Sequence, residues 1–246
     1  MLLNCDMGES DQERVVGNDA AVMPHVHCAN IACGFHGGDP EMIDKTLALA
    51  AAHGVAVGAH PSYPDREGFG RRSMALSSGA LKAIIHYQVG ALEAMAANHG
   101  LALTHVKPHG ALYNDAMRDP TLRNHLFDAV ASYRTALPLV LQATAHNAQL
   151  RTEATKAGVD IVFEAFADRA YTDEGLLQPR DRPDAVLDTQ AMLEQVDSLV
   201  RHGHIRSVDG KTLAIDAQTL CVHGDNPQGI AGIEALRTLL DENGSA

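Results

Sequence analysis

Short apolar runs alternate along the chain with longer stretches in which apolar residues recur every three or four positions. The first pattern is typical of buried strands and the second of amphipathic helices. Gly54, Gly100 and Gly158 each stand between a helical stretch and the next apolar run, where glycine ends a helix by adopting the left-handed conformation. Pro40 and Pro120 each follow an aspartate, a pairing that marks helix starts. The chain is therefore predicted to alternate strand and helix.

Strands that alternate with helices form parallel sheets covered by helices, so an α/β fold is expected. About seven such units favour a seven-stranded β/α barrel, closed or nearly so, and an open, doubly wound sheet is the alternative. No linker or low-complexity stretch divides residues 1–246, and we expect them to form a single domain. Asp209 and Gly210 predict a hairpin just before the last strand. The predicted strands are residues 2–6, 28–33, 55–60, 103–109, 139–142, 159–164 and 220–223.

The charge balance disfavours several classes of partner. The chain has 246 residues, with 31 acidic and 19 basic side chains and a formal net charge of −12. Such a surface repels nucleic-acid backbones and anionic lipids. No apolar run is long enough to span a membrane, and the first residues lack the basic and apolar regions of a signal peptide. We expect a cytoplasmic location.

The four cysteines, Cys5, Cys28, Cys33 and Cys221, contain no C-x-x-C pair. In a cytosolic protein of this size such residues are typically reduced and buried. A zinc site of Cys28, Cys33 and His36 would have a spacing that matches no common structural pattern. The cysteines are therefore predicted to be inert thiols.

Polar residues end most of the apolar runs, and in several runs they are spaced two apart. Side chains two apart on a strand point to the same side, and the carboxyl ends of parallel strands form the active-site face of barrels and open sheets. Each residue alone is explained as a helix cap or a satisfied buried group. The recurrence over at least five strands favours a shared site instead. The residues are Asn4, Asp6, His60, His105, Lys107, His109, Gln142, Glu164, Cys221, His223 and Asp225.

Two predicted loops, residues 60–72 and residues 164–186, are longer than most connections in a compact domain. Such loops are usually lids or binding loops. Both carry arginines in an otherwise acidic chain, among them Arg71 and Arg169, so a small anionic substrate is expected.

No nucleotide-binding motif is present in the sequence. Gly210, Lys211 and Thr212 imitate the end of a phosphate-binding loop, but Ile205 occupies the position of its first glycine. The same segment is predicted to be a hairpin. We therefore expect no ATP site in this chain.

Seven short motifs follow one another along the chain. They are NCDMGES at 4–10, ANIACGFHGGDP at 29–40, GAHPSYPD at 58–65, GFGRR at 68–72, HVKPHGALYN at 105–114, EAFADR at 164–169 and CVHGDNP at 221–227. With these motifs the chain resembles the LamB/YcsF family, the A subunits of bacterial 5-oxoprolinase. The resemblance covers nearly the whole chain in order, and Met7, where leucine is usual, leaves the polar positions untouched. It implies a seven-stranded barrel similar to the glycoside hydrolase and deacetylase-like fold.

The resemblance implies ATP-dependent opening of 5-oxo-L-proline to L-glutamate, with ATP as the co-substrate of a complex that contains the partner subunits PxpB and PxpC. A lactam activated by phosphorylation needs a base that directs water and cations that meet the developing charge. The sequence does not decide which residue is the base, and no metal ligand is assigned in this interpretation. The expected catalytic residues are Asp6, Glu9, His60, Lys107 and His109. The expected substrate-binding residues are Asn30, His36, Arg71, Glu164, Arg169, His223 and Asp225.

Two other interpretations remain open. In the first, Asp6, His36, His60 and His109 bind a metal ion that activates water, and the chain is a hydrolase or deacetylase that acts alone. In the second, the chain only holds 5-oxoproline for its partners and catalyses nothing.

Overall fold

The computed structural model describes residues 1–224 and 226–243, and nine strands lie within them. Seven strands are parallel and follow the predicted apolar runs, whereas two short ones pair with each other outside the barrel. The strands are β1 (Leu2–Met7), β2 (Cys28–Ala32), β3 (Ala56–His60), β4 (Leu103–Val106), β5 (Leu139–Gln142), β6 (Ile161–Phe166), β7 (His204–Arg206), β8 (Thr212–Ala214) and β9 (Thr219–His223).

Helices connect successive barrel strands and cover the barrel from outside. Helices α3 and α5 pack side by side, as do α7 and α8, and the short helix α1 is followed by a 3-10 turn at Met23–His25. Within the described ranges the helices are α1 (Asp19–Val22), α2 (Pro40–His53), α3 (Ser78–Asn98), α4 (Gly110–Arg118), α5 (Pro120–Ala131), α6 (Asn147–Ala157), α7 (Thr189–His202) and α8 (Pro227–Asn243).

The barrel closes because the last strand pairs on both sides. Strands β1 to β6 follow one another in chain order, and β9 lies between β6 and β1. All seven pairings are parallel. The predicted seven-stranded β/α barrel is confirmed, and the open, doubly wound alternative is wrong.

The predicted helix signals act as expected. The carboxylate of Asp39 accepts a hydrogen bond from the Met42 N–H, and Pro40 occupies the first turn of α2. Gly54 ends the same helix in the left-handed conformation, at φ 65°. The hairpin predicted at Asp209 and Gly210 is also confirmed, because it joins the antiparallel strands β7 and β8.

Strand β4 is shorter than predicted. A strand was expected over residues 103–109, but β4 ends at Val106. Pro108 has no N–H to donate to a ladder. The N–H groups of Lys107 and His109 still donate to carbonyl groups at the end of β3 and just beyond it. The segment therefore continues alongside β3 after leaving the regular ladder.

The apolar core lies between the barrel and its helices, whereas polar side chains fill one end of the barrel interior. Leu47 of α2 and Leu81 of α3 are fully buried in this outer layer. Asn4, Asn30 and Glu164 are almost as inaccessible inside the barrel. Among the helices of the described residues, none combines the length and the apolar character that crossing a bilayer requires.

Candidate active site

Strand register brings polar side chains to one level at the carboxyl ends of the strands. Asp6 is paired in register with Asn30 of β2 on one side and with His223 of β9 on the other. Register neighbours in a parallel sheet face the same side. A cavity of about 230 Å³ opens here, and Asp6, His60, Lys107 and His223 all line it. The groups expected to meet at a common mouth therefore do so.

A hydrogen-bonded network of buried amides lies beneath the cavity. The Asn30 side chain donates both its protons, to Asn4 Oδ1 at 2.8 Å and to Asp6 Oδ1 at 2.7 Å. Its own oxygen accepts from His105 Nε2 at 2.6 Å. Asn4 donates in turn to Thr219 Oγ1 at 2.8 Å. Such fully paired networks fix side-chain positions, so the floor of the cavity is held rigidly.

Gly58 makes room for this network. A Cβ at Gly58 would lie 2.1 Å from His105 Nε2, well inside contact distance. Only glycine therefore lets the His105 ring cross β3 and reach Asn30. Burial, with the nearby Lys107 ammonium, lowers the pKa of His105 to about 4, so this ring is a neutral structural group.

Lys107 is the buried cation of the site. Its Nζ lies 2.9 Å from Asp6 Oδ1, 3.1 Å from Glu164 Oε2 and 3.1 Å from Cys221 Sγ. Burial opposes the charge, but Asp6, Cys221 and Glu164 raise the pKa of Lys107 well above its usual value. Asn4 Oδ1 is a fourth contact, at 3.4 Å. The three protons of the ammonium are therefore all engaged, and its effect on a ligand is electrostatic rather than through a further hydrogen bond.

Asp6 lies between Lys107 and His60. Its Oδ1 accepts from Lys107 and Asn30, and its Oδ2 lies 3.3 Å from His60 Nε2. Burial would raise the pKa of this carboxyl, but His60 and Lys107 outweigh it and hold that pKa well below its usual range. His60 is itself oriented by Nδ1, which donates to the Lys107 carbonyl oxygen at 2.7 Å. Asp6 is therefore an ionised carboxylate with one oxygen available to chemistry.

Glu9 and two further histidines form a cluster next to Asp6. Glu9 Oε1 accepts from His36 Nε2 at 3.0 Å and lies 3.2 Å from His109 Nδ1. The rings of His36 and His109 stack with centroids 3.6 Å apart. Burial opposes ionisation of Glu9, but the contacts with His109 and His36 hold its pKa below the usual range. Burial lowers the pKa of His36 to about 3.

Two groups of side chains in the described part of the chain have the spacing of metal ligands. One comprises Glu9, His36, His60 and His109, and the other comprises Asp6, Cys221 and His223. The set considered from the sequence placed Asp6 with the three histidines. Glu9 takes that place instead, because Gly8 turns the chain at φ 68° and returns the next residue towards the barrel mouth.

His223 is held by Asp168, which follows β6, and Asn226, which follows β9. Its Nδ1 lies 2.9 Å from Asp168 Oδ1, and Asn226 donates to the other oxygen of Asp168 at 3.0 Å. The ring stacks on Phe166 with centroids 5.6 Å apart. Burial opposes the charge of Asp168, but His223 and Asn226 lower its pKa. Because Asp168 fixes Nδ1, the ring can exchange a proton with a ligand through Nε2.

The loop that follows β6 forms one wall of the cavity, and Arg169 holds its two sides together. The guanidinium donates to the carbonyl oxygens of Ala185 and Gln178, on the far side of the same loop. Burial lowers the pKa of Arg169 to about 10. Arg169 lines the cavity, but its hydrogen bonds shape the loop.

A model of the LamB/YcsF family matches residues 1–246. The chain belongs to the LamB/YcsF family. Among curated relatives, the 5-oxoprolinase A subunit of Vibrio cholerae serotype O1 is 49% identical over 241 residues, covering 98% of this chain and 97% of that protein. The protein of the same name from Chromohalobacter salexigens is 50% identical over 241 residues, covering 98% and 96%.

Solved structures give the same result. The crystal structure of the lactam utilization protein from Thermus thermophilus matches this LamB/YcsF chain with a TM-score of 0.89 and 43% sequence identity. The match covers 99% of this chain and 97% of that one. The barrel and its closing strand are therefore shared with that protein.

The expected site residues of this LamB/YcsF chain divide into two layers. Three of them, Asn30, His36 and Glu164, are buried next to lining residues but do not line the cavity themselves. Asp225 lies outside the described residues. The expected residues that line the cavity are Asp6, Glu9, His60, Arg71, Lys107, His109, Arg169 and His223.

Several lining residues were not expected from the sequence. Tyr113 and Arg118 come from α4, and Phe166 and Gln178 from β6 and the loop after it. Burial, with the nearby Glu164 carboxylate, raises the pKa of Tyr113 well above its usual value. The position of α4 in the sequence could have identified Tyr113 and Arg118, because a helix that starts directly after a barrel strand presents its first turns to the same mouth.

Proposed function

We propose that this chain is the A subunit of an ATP-dependent 5-oxoprolinase and opens 5-oxo-L-proline to L-glutamate. Relatives that carry this subunit name are 49–50% identical over 98% of the chain. The observation that carries the proposal is the convergence of Asp6, His60, Lys107 and His223 on one cavity. A carboxylate, a fixed ammonium and oriented imidazoles supply the groups that hydrolysis of an activated amide requires.

The charge distribution of the cavity suits a small anionic lactam. Arg71, Arg118 and Arg180 lie at its exposed rim, and Lys107 lies at its base. In a chain with a net charge of −12, this local positive field attracts an anion to the mouth. The carboxylate of 5-oxoproline and a phosphoryl group on its amide oxygen both match such a field.

ATP enters the reaction through other subunits in this proposal. A lactam is a stable amide, and phosphorylation of its oxygen makes the ring carbon open to water. The sequence carries no nucleotide-binding motif, so we assign phosphorylation to partner subunits of the PxpB and PxpC type. The A subunit then binds the activated ring and directs the attack of water. Ring opening leaves the phosphoryl group on the new side-chain carboxyl of glutamate, and a second water releases it as inorganic phosphate.

Asp6 is the proposed general base. Its Oδ1 is occupied by Lys107 and Asn30, which leaves Oδ2 to accept the proton that water loses as the oxygen–carbon bond forms. The ring nitrogen needs a proton as the carbon–nitrogen bond breaks, and His223 is the proposed donor because Asp168 fixes its other nitrogen. Lys107 keeps Asp6 ionised and lowers the energy of the developing negative charge.

The test is an omission assay for glutamate release. This chain, the two partner subunits and ATP are combined with 5-oxo-L-proline, and each component is left out in turn. We expect glutamate only in the complete mixture. Glutamate formation by this chain alone, without ATP, would instead indicate a stand-alone hydrolase. Full activity of the partners without this chain would exclude a catalytic role for it.

A further inference from the structure

Four side chains at the barrel mouth bring one oxygen and three nitrogens close together. They are Glu9, His36, His60 and His109, and their ligand atoms all lie within 4.8 Å of one another. Glu9 Oε1 lies 3.0 Å from His36 Nε2, 3.2 Å from His109 Nδ1 and 3.9 Å from His60 Nε2. We call these four side chains the His₃Glu cluster.

Backbone carbonyl groups fix the protons of two rings in the cluster. His60 Nδ1 lies 2.7 Å from the Lys107 carbonyl oxygen, and His109 Nε2 lies 2.9 Å from the Phe69 carbonyl oxygen. A carbonyl oxygen only accepts, so both nitrogens carry a proton. The other nitrogen of each ring is then the one that can face a ligand. Those two nitrogens, His60 Nε2 and His109 Nδ1, face each other at 3.0 Å.

Two ring nitrogens at 3.0 Å need a positive centre between them, either a proton or a metal ion. The carboxylate of Glu9 adds a third electron-rich atom to the same space. Carbonyl groups that hold the outer nitrogens of metal-bound histidines are the usual second layer of a metal site, because they orient the rings and fix their tautomers. The Phe69 carbonyl belongs to a residue at φ 54°, a backbone conformation that a non-glycine residue adopts at a cost.

The donor set and its spacing fit one class of ion. Zinc binds imidazole nitrogen and carboxylate oxygen at roughly 2.0–2.2 Å in a tetrahedron, whose ligand atoms are then about 3.3–3.6 Å apart. The separations of Glu9 Oε1 from the three nitrogens, and of His60 Nε2 from His109 Nδ1, are 3.0 to 3.9 Å and bracket that distance. We propose that the His₃Glu cluster binds one divalent transition-metal ion of the zinc class.

The second group with ligand spacing is a poor competitor. Cys221 Sγ and Asp6 Oδ1 both contact the Lys107 ammonium, at 3.1 and 2.9 Å. A metal ion held by Asp6, Cys221 and His223 would lie next to that fixed positive charge and be repelled by it. The site is therefore assigned to the His₃Glu cluster. Four protein ligands are typical of a structural zinc site, so no reaction step is assigned to the ion.

The test measures metal binding without substrate, so it does not depend on the proposed function. Metal-free protein is titrated with zinc chloride in a calorimeter, and bound metal is counted after gel filtration. We expect one zinc per wild-type chain. Glu9→Gln and His36→Gln should each bind at least about a hundredfold more weakly, since loss of a ligand exceeds the effect of losing a second-layer partner.

His223→Gln is the matched control, because it alters a cavity histidine outside the cluster, and it should bind one zinc with wild-type affinity. Circular dichroism checks that each variant folds. If both cluster variants fail to fold, the cobalt-substituted wild type decides, because the proposal requires the visible spectrum of a tetrahedral nitrogen–oxygen site. Wild-type protein that binds no stoichiometric zinc would overturn the proposal, and so would loss of zinc in His223→Gln with retention in His36→Gln.

Discussion

Replacing Lys107 by methionine tests the electrostatic account of the site in a single variant. Lys107 is 2% exposed, and its ammonium lies 2.9 Å from Asp6 Oδ1 and 3.1 Å from Glu164 Oε2. Methionine fills much of the same volume without the charge. The variant therefore leaves two buried carboxylates that have lost the cation between them.

The expected loss of stability follows from these distances. At an effective dielectric constant of about 20, each ion pair contributes a gross attraction of about 5–6 kcal/mol. Most of this offsets the cost of burying the ammonium, and removal of one member of a buried ion pair typically destabilises a protein by about 3–5 kcal/mol. Since two carboxylates lose their partner here, we expect the upper part of that range for Lys107→Met. This is a large fraction of the roughly 5–15 kcal/mol by which domains are stable.

The loss should depend on pH in a defined direction. In the wild type the pKa of Asp6 is held below its usual range, so its contribution to stability is present above about pH 4 and is lost as pH falls through the folded-state value. In Lys107→Met the buried carboxylates favour the protonated form, and the folded variant binds a proton more readily than the unfolded chain. The difference in the free energy of unfolding between Lys107→Met and the wild type should therefore be largest near pH 8 and become smaller as pH falls towards about 5.

Urea unfolding followed by circular dichroism at about pH 8, 6.5 and 5 measures both effects. Lys45→Met is the control, because Lys45 makes an exposed ion pair with Glu41 on α2, and its stability should match wild type within error. Equal stability of Lys107→Met and wild type at the highest pH would refute the reasoning. A deficit that does not change with pH would show that lost packing, not unpaired charge, is its cause.

Three other predictions concern particular contacts. Gly58→Ala should lower stability by about 1–3 kcal/mol in thermal unfolding, because the new Cβ overlaps the His105 ring; an unchanged midpoint would contradict this. Asp168→Asn should reduce kcat of the reconstituted complex more than it raises KM, because His223 loses the anion that orients it, whereas an effect on KM alone would argue against His223 as a proton donor. Burial raises the pKa of Cys33 to about 12, so mass spectrometry should find it unmodified after iodoacetamide treatment of the native protein, and rapid alkylation would show that it is more accessible than described.

Most of the fold could be predicted from local sequence signals. Each barrel strand overlaps a predicted apolar run of four to seven residues, and glycine or Asp-Pro signals separate several of these runs from the neighbouring helix. The errors occur at strand ends. Strand β6 begins and ends two residues later than the predicted residues 159–164, because pairing with β5 and β9, not local composition, decides where a ladder starts.

The residues of the site could be predicted from the sequence, but their arrangement in space could not. Asp6 and His223 were correctly predicted to lie together, because the carboxyl ends of parallel strands form the active-site face of a barrel. The position of strand ends alone could not show that Glu164 is buried and does not line the cavity, because depth inside a barrel depends on strand tilt and stagger. Nor could it show that the Arg169 guanidinium is held by the carbonyl groups of Ala185 and Gln178, since these contacts follow from the path of a long loop.

The most direct test of the central claim is turnover by the reconstituted complex with Asp6→Asn in this chain. Asparagine keeps the shape of the side chain and an acceptor for Asn30, but it cannot take a proton from water. We predict that glutamate release falls by about a hundredfold or more, the usual contribution of a general base, while the variant still folds. The same exchange at Asp44, an exposed residue of α2, should leave turnover unchanged. Wild-type turnover with Asp6→Asn would contradict the account.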